Sequence, residues 1–290
     1  SLQSPDVEIE DEKDISTARV RDTLRNDAYV KSAEQIHKDG IIGSQYVLNA
    51  KPDFKTLGLT EEWADAFREE VEAKFMLAAD SPNGYFDVTG VNTLTEMLRL
   101  GVGVYLASNE FLASVEWLGK FPNRPFKTAI KLIDTDRLSN PPNKDVTKNI
   151  KMGVEKDFYG RPIAYHIRNQ HPSDYRFAER PEWKRILATK PWGRPQIIHI
   201  FEQDRPDQSR GISQLTSALK ELRITKKFRD VTLQNAVVNA SFAAAIESEL
   251  SPDVVFQMMG GSANTSDNIS TAINNYATGY MSQIAKYSSN

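Results

Sequence analysis

Gln196-Ile-Ile-His-Ile-Phe201, then Asp204-Arg-Pro-Asp-Gln-Ser-Arg-Gly211, then residues 212–250 without one Gly or Pro: this stretch decides the fold. The first part groups bulky β-formers and reads as a strand. The second mixes Asp, Pro, Ser and Gly and reads as a turn. The third, helical throughout, would run about 58 Å at 1.5 Å per residue, a length that leaves room for a bend. Its first half carries Lys220, Arg223, Lys226, Lys227 and Arg229 beside an apolar stripe of Leu215, Leu219, Leu222, Phe228 and Val231. From Val231 to Ile246 cations are absent, and Ala236, Ala240, Ser241, Ala243, Ala244 and Ala245 crowd among Val237, Val238 and Phe242. Small residues on several sides let helices approach closely. Packing between copies of the chain is one reading, a long core helix in a monomer the other.

Working outward, Pro5 to Asp14 holds six acids and one Lys, which predicts a disordered acidic arm over residues 1–14. A helix is expected from Ser16 to Lys38, with Val20, Leu24, Tyr29, Val30, Ala33 and Ile36 on its apolar face. A strand is expected over Ile41–Leu48. Thr60 starts a helix whose Trp63, Phe67, Val71 and Phe75 recur every fourth residue, and another helix is expected over Thr93–Asn109. Strands are expected at Phe111–Trp117, Thr128–Ile133, Ile150–Lys156, Pro162–Arg168 and Gln196–Phe201, with a hairpin turn at Asp157-Phe-Tyr-Gly160. Runs of helices and runs of strands in separate stretches give an α+β class. Beyond Leu250 a polar loop leads to a weakly helical Ile269–Tyr287.

Composition narrows the functions. The chain has 290 residues, 26% of them charged, a net charge of −3 and no Cys. That rules out Cys-ligated zinc, thiol nucleophiles and disulfides, and it speaks against a protein that coats nucleic acid non-specifically. The apolar runs fall short of the roughly 18 residues of a membrane span.

Chemistry-bearing motifs are sparse. His37, His166, His171 and His199 are scattered without metal-ligand spacing. Gly101-Val-Gly103 lacks the third glycine of a dinucleotide fingerprint and reads as close packing. Neither a P-loop nor a Gly-x-Ser-x-Gly elbow is present. Asp134 and Asp136 alternate at a strand end, where capping or solvation competes with metal binding. The expectation is no enzyme, no cofactor and no metal. Two alternatives stay open: a metal-dependent nucleic-acid-processing enzyme built on Asp134 and Asp136, or a monomeric DNA-binding module organised by the cations of the long helix.

Several stretches, in order, carry a resemblance. They are Arg25-Asn-Asp-Ala-Tyr-Val30 with Ile41-Ile-Gly-Ser44, Ile133-Asp-Thr-Asp-Arg-Leu-Ser-Asn-Pro141, and Gly153-Val-Glu-Lys-Asp-Phe-Tyr-Gly-Arg-Pro-Ile-Ala-Tyr165. Ile198-His-Ile-Phe201 with Arg205-Pro206 and Gln208-Ser-Arg-Gly211 follows, then Ala240-Ser-Phe-Ala-Ala-Ala-Ile-Glu-Ser248. Together they resemble the lambda-type portal proteins of tailed bacteriophages over about Arg19 to Leu250. One departure is Asp207, where the family often has Gly. The resemblance implies a homo-oligomeric ring, twelve copies in the usual case, at one vertex of the capsid in the virion. Double-stranded DNA passes through its channel during packaging and ejection. Terminase docks first, head-completion and tail proteins later, with the major capsid or scaffold protein around it. Assembly would take place in the host cytoplasm. It also implies a wing-like α+β domain over 15–205, a stem-type helix over 206–250 and a partial clip or stem region over 251–290, later parts lying beyond Asn290. The five cations then become candidates for the DNA channel, and Ala236, Ala240, Phe242, Ala243 and Ala244 candidates for packing between subunits.

Overall fold

The computed structural model describes residues 2–121, 124–142, 149–174 and 180–246, with side chains to residue 240. The chain divides into two units, residues 1–222 and 223–290. The regions expected over 251–290, including the weak helix at Ile269–Tyr287, lie outside the described residues.

The first helix, α1 (Pro5–Asn26), starts well before the expected Ser16. Pro5 suits the first turn of a helix because its missing N–H would have no partner there. The acidic stretch is therefore not an arm: Asp6, Ile9 and Lys13 are buried within it. Asp6 and Lys13 bond Ser209 and Gly211, about 200 residues away, so no local signal announces the burial. The single helix expected from Ser16 to Lys38 is two, because Asp27 leaves the helical region (φ −118°, ψ 117°). Its carboxylate accepts from the backbone N–H of Tyr29 (3.0 Å) and Val30 (3.3 Å), capping α2 (Ala28–Ile41). Asp27→Ala is expected to lower stability by about 1 kcal/mol in urea unfolding, the usual cost of an N-cap.

Ile41–Leu48 is not a strand. Its backbone groups turn instead to α4 (Leu94–Ser108): Arg99 donates to the Gly43 carbonyl (2.6 Å), and Thr95 Oγ1 accepts from Tyr46 N–H (3.0 Å). Thr60 caps α3 (Glu61–Ala79) as expected. Thr93 and Glu96 form a reciprocal capping box at the start of α4, and Asn109, in the left-handed region at φ 54°, closes its end.

Two antiparallel sheets follow. In the first, β1 (Glu110–Trp117) lies between β2 (Thr128–Leu132) and β7 (Ile197–Phe201). The second is a meander of β3 (Asn149–Lys151), β4 (Val154–Lys156), β5 (Pro162–Arg168) and β6 (Trp183–Leu187). The strand expected over Ile150–Lys156 is thus a hairpin, turned by Met152 (φ 45°) and Gly153 (φ 87°). Two consecutive positive φ values match the twist of a tight hairpin, and a glycine in second place makes it affordable. Strand β6 carries no period-2 apolar pattern and was not expected. The Asp157–Gly160 turn joins β4 to β5, as the sequence suggests.

Leu112, Ile133, Leu138, Val154, Tyr165, Ile167 and Ile197 make one core from both sheets. Val20, Leu24, Val30 and Ala107 make another, against which Leu215, Leu219 and Leu222 pack from the start of α5 (Leu215–Ile246). The root of the long helix is thereby fixed to α1, α2 and α4.

Candidate functional site

The turn before α5 is densely bonded. Arg210 is buried, and all five of its N–H groups are used. Nε and one Nη2 hydrogen bind the two oxygens of Glu110 at 2.6 and 2.9 Å. Nη1 donates to the carbonyls of Leu138 (2.7 Å) and Met152 (2.8 Å), and Nη2 also donates to that of Thr135 (2.9 Å). One guanidinium thus joins β1, the short 3-10 turn Thr135–Arg137 and the β3–β4 hairpin, a geometry that the flexible point charge of Lys could not reproduce. Glu110 also accepts from Gly211 N–H (2.8 Å) and pairs with Lys13 of α1 (3.0 Å), whose ammonium donates to the Gly211 carbonyl (2.6 Å).

The rest of the turn is held similarly. Asp6 accepts from both Ser209 N–H and Ser209 Oγ, each at 2.7 Å. The buried Gln208 amide donates to the Arg210 carbonyl (2.7 Å) and accepts from Asp204 N–H (2.9 Å). Asp207 stands at φ 69°, in the region that favours glycine and that Asp tolerates better than most residues. The position where the resemblance expects Gly therefore keeps the backbone that Gly would take.

Burial by itself would raise the pKa of Glu110. Arg210, His199 and Lys13 outweigh it and hold the carboxyl well below its ordinary value. Burial pulls Lys13 down to about 8, against the attraction of Glu110. It also lowers His199, whose Nε2 stands 3.5 Å from Glu110. The isoleucine-flanked His199 is thus a wall of the charge cluster, facing the Tyr165 ring edge-on.

The sequence-predicted residues lie farther along α5. Lys220, Arg223, Lys226 and Lys227 are exposed and Arg229 is half-buried. Ala236 and Ala240 are exposed, while the side chains of Phe242, Ala243 and Ala244 lie outside the described ones. Composition did not reveal how much apolar surface this helix exposes. Ile224, Phe228, Val231 and Val238 are 52, 71, 47 and 43% exposed and form one row at i, i+4, i+7, i+14. Leu233 and Val237, 66 and 57% exposed, start a second row that Ala240 continues. Leu233 follows Ile224 by nine residues, two and a half turns, which places the second row about 180° from the first.

Asp134, Asp136 and His171 come close enough to share a cation. Arg21 already occupies both carboxylates, at 3.3 Å from Asp134 and in a bidentate pair with Asp136. Asp134 also caps the 3-10 turn through Asp136 N–H (3.1 Å). This arrangement favours capping and ion pairing over metal-dependent nuclease chemistry. Gly101 faces the Phe111 ring, where an added Cβ would meet it at 2.7 Å, and Gly103 faces Glu34 and Lys38. Both glycines serve packing, as read. Lys13, Glu110 and Asp6 escaped the sequence reading. Only Glu110 left a trace there, a lone acid at the head of the apolar run Phe111–Val115.

The sequence pattern of the family described as phage portal protein, lambda family, matches residues 1–285. The portal protein of Escherichia phage N15 is 30% identical over 270 residues, which is 93% of this chain and 49% of that protein. Portal protein B of Escherichia phage lambda is 31% identical over 270 residues, again 93% of this chain and 49% of that protein. The chain spans about half the length of the curated relatives it matches.

Proposed function

The chain belongs to the lambda family of phage portal proteins, and from that premise we propose that copies of it close into the ring-shaped channel of one capsid vertex, through which double-stranded DNA is packaged and ejected. The family is a structural one of the virion, and among the described residues no helix is long and apolar enough to cross a membrane. The observation that carries the ring is α5. Its two exposed apolar rows, about half a turn apart, would be covered if each helix stood between two neighbours. A head-to-tail ring supplies such a pair of neighbours to every copy, whereas a two-fold dimer covers one row only.

The cations on α5 would then meet DNA phosphates in passing. Weak, salt-screened contacts suit a channel that must let DNA move. Terminase would dock on the ring during assembly in the host cytoplasm, and head-completion and tail proteins would follow. The major capsid or scaffold protein would surround it. The portal itself would hydrolyse nothing, the motor being a separate protein.

Native mass spectrometry and negative-stain images of the purified chain test the ring: closed assemblies of about a dozen copies are expected, and a species that stays monomeric at high concentration would overturn it for this chain. The channel role has its own test. Lys226→Glu/Lys227→Glu in the phage is expected to cut packaged DNA on the order of tenfold while rings still form, since reversal turns phosphate attraction into repulsion. Unchanged packaging would remove the two lysines from the channel.

A further inference from the structure

Resting on the ring reading, we propose that the exposed acidic face of α3 on one copy docks in a cationic, tryptophan-lined cleft on the next. Helix α3 is nearly bare: of its 19 residues only Ala64, Ala78 and Ala79 are buried. Trp63 and Phe67 stack on each other at 5.1 Å, yet remain 39 and 40% exposed. Glu70 stands beside them, less than one turn beyond Phe67, and Glu61, Glu62, Asp65 and Glu69 are exposed on the other side of the helix. Arg68 and Lys74 balance only Asp65 and Glu70. A helix that exposes an aromatic pair along one flank and a row of carboxylates along the next is costly to leave in water and marks a contact surface.

The same unit carries a surface of opposite character. A cleft of about 550 Å³ opens beside the ends of β1 and β7, between Trp117 and Trp192. The two indoles are 65 and 72% exposed. Lys190 and Arg194 lie over the Trp192 ring, at 6.0 and 5.9 Å from its centre. Glu116 is the acid of the lining, and its carboxylate already accepts from Ser114 Oγ (2.7 Å). The cleft therefore offers aromatic faces and cations prepared for an acidic, aromatic partner.

Placement favours a second copy as that partner. The first sheet is ordered β2-β1-β7. Helix α3 joins it at the β2 edge: Phe75 packs on Phe86 (5.6 Å), whose carbonyl accepts from Ile130 N–H of β2 (2.7 Å). The loop bearing Lys190, Trp192 and Arg194 leads into β7, at the other edge. One chain thus presents an acidic patch from the β2 side of this sheet and its complement from the end of β1 and β7. Two different patches that fit each other make a head-to-tail contact, the kind that builds rings. Opposite charges would also set the register and the rate of approach.

Charge swapping tests this on the full 290-residue chain. Lys190→Glu/Arg194→Glu and Glu62→Lys/Glu69→Lys are each expected to weaken self-association on the order of 100-fold in analytical ultracentrifugation, because like charges then meet. An equimolar mixture of the two should assemble again, the acidic cleft of one accepting the basic helix of the other. Trp192→Ala, which leaves the charges in place, should weaken assembly as well. Circular dichroism confirms that each variant is folded. Variants that assemble like wild type would assign the cleft to some other acidic protein and overturn this pairing while the ring stands. Folded variants that fail to assemble when mixed would overturn it too. A wild-type chain that never associates would sink the ring reading, and this interface with it.

Discussion

Glu110→Gln is expected to cost the first unit about 3–5 kcal/mol, the usual penalty for breaking a buried ion pair by removing one partner. The carboxylate is fully buried and answers two cations, Arg210 and Lys13. An amide in its place cannot neutralise either, and its NH₂ group would point a donor at the donors of Arg210, Lys13 or Gly211. At roughly 2–4 °C per kcal/mol for a unit of this size, the melting temperature should fall by about 10 °C. A loss below 1 kcal/mol would mean that the surrounding carbonyls alone hold Arg210. Replacing Glu110 and Arg210 together by apolar residues should cost less than the sum of the single changes, since the uncompensated charge disappears.

The pH dependence of the same comparison has a definite sign. The carboxyl of Glu110 lies well below its ordinary value in the folded chain. The folded state therefore binds fewer protons there than the unfolded one, and the stability it contributes is complete above the unfolded value. That contribution fades only as pH falls toward the folded one. The gap between wild type and Glu110→Gln should stay constant from about pH 6 to 7.5 and close at strongly acid pH. Lys13 acts with the same sign in a higher pH window. Lowered from 10.5 to about 8, it adds stability as pH rises between those values, because the unfolded chain then holds the extra proton. A gap that is flat down to the lowest pH at which the chain still folds would show that Glu110 is not the group being titrated.

These tests bear on the part of the molecule that sequence patterns reached least. Helices α3 and α4 were legible because their signals are local: Thr60, Thr93 with Glu96, and Asn109 act within a few residues of themselves. The strands β1, β2, β5 and β7 were legible because apolar alternation is local too. The start of α1 was not. Asp6 and Lys13 read as solvated charges until Ser209 and Gly211, 203 and 198 residues away, are brought to them. The same holds for Ile41–Leu48, apolar enough for a strand but given no strand edge to pair with. Of the candidate site, the cations on α5 were visible as spacing. The charge cluster at its root was not, because nothing local distinguishes Asp6, Lys13 and Arg210 from surface residues, and Glu110 stood out only as a lone acid before an apolar run. The resemblance pointed to Gln208-Ser-Arg-Gly211, and the hydrogen bonds now supply the physical reason for each of those four residues.

The glycine of that run should tolerate least. Gly211→Ala would place a Cβ 2.2 Å from the Asn109 carbonyl oxygen, 2.9 Å from its carbon and 3.0 Å from Cγ of Glu110. Backbone is the obstacle, so no side-chain rotation relieves it. Asn109 has little freedom to yield: its N–H is bonded to Tyr105 (2.6 Å), and its side chain donates to the Glu202 carbonyl (3.3 Å). Gly211 itself is held from both sides, donating to Glu110 and accepting from Lys13. A cost of about 3 kcal/mol or more is expected in urea unfolding, at the upper end for overpacking. Gly40→Ala is the control, a position in α2 with nothing within 4 Å of the added Cβ, where the change should be neutral or stabilising by up to about 1 kcal/mol. The two glycines separate a general loss of backbone freedom from a clash at one place. The clash also has a functional reading. Gly211 stands four residues before α5, so relief by a shift of the turn would re-aim the root of the helix on which the ring is proposed to close. Gly211→Ala should then lose assembly at temperatures where its β core, followed by circular dichroism, is still folded. Assembly and folding lost together at one temperature would instead make the turn a matter of stability alone.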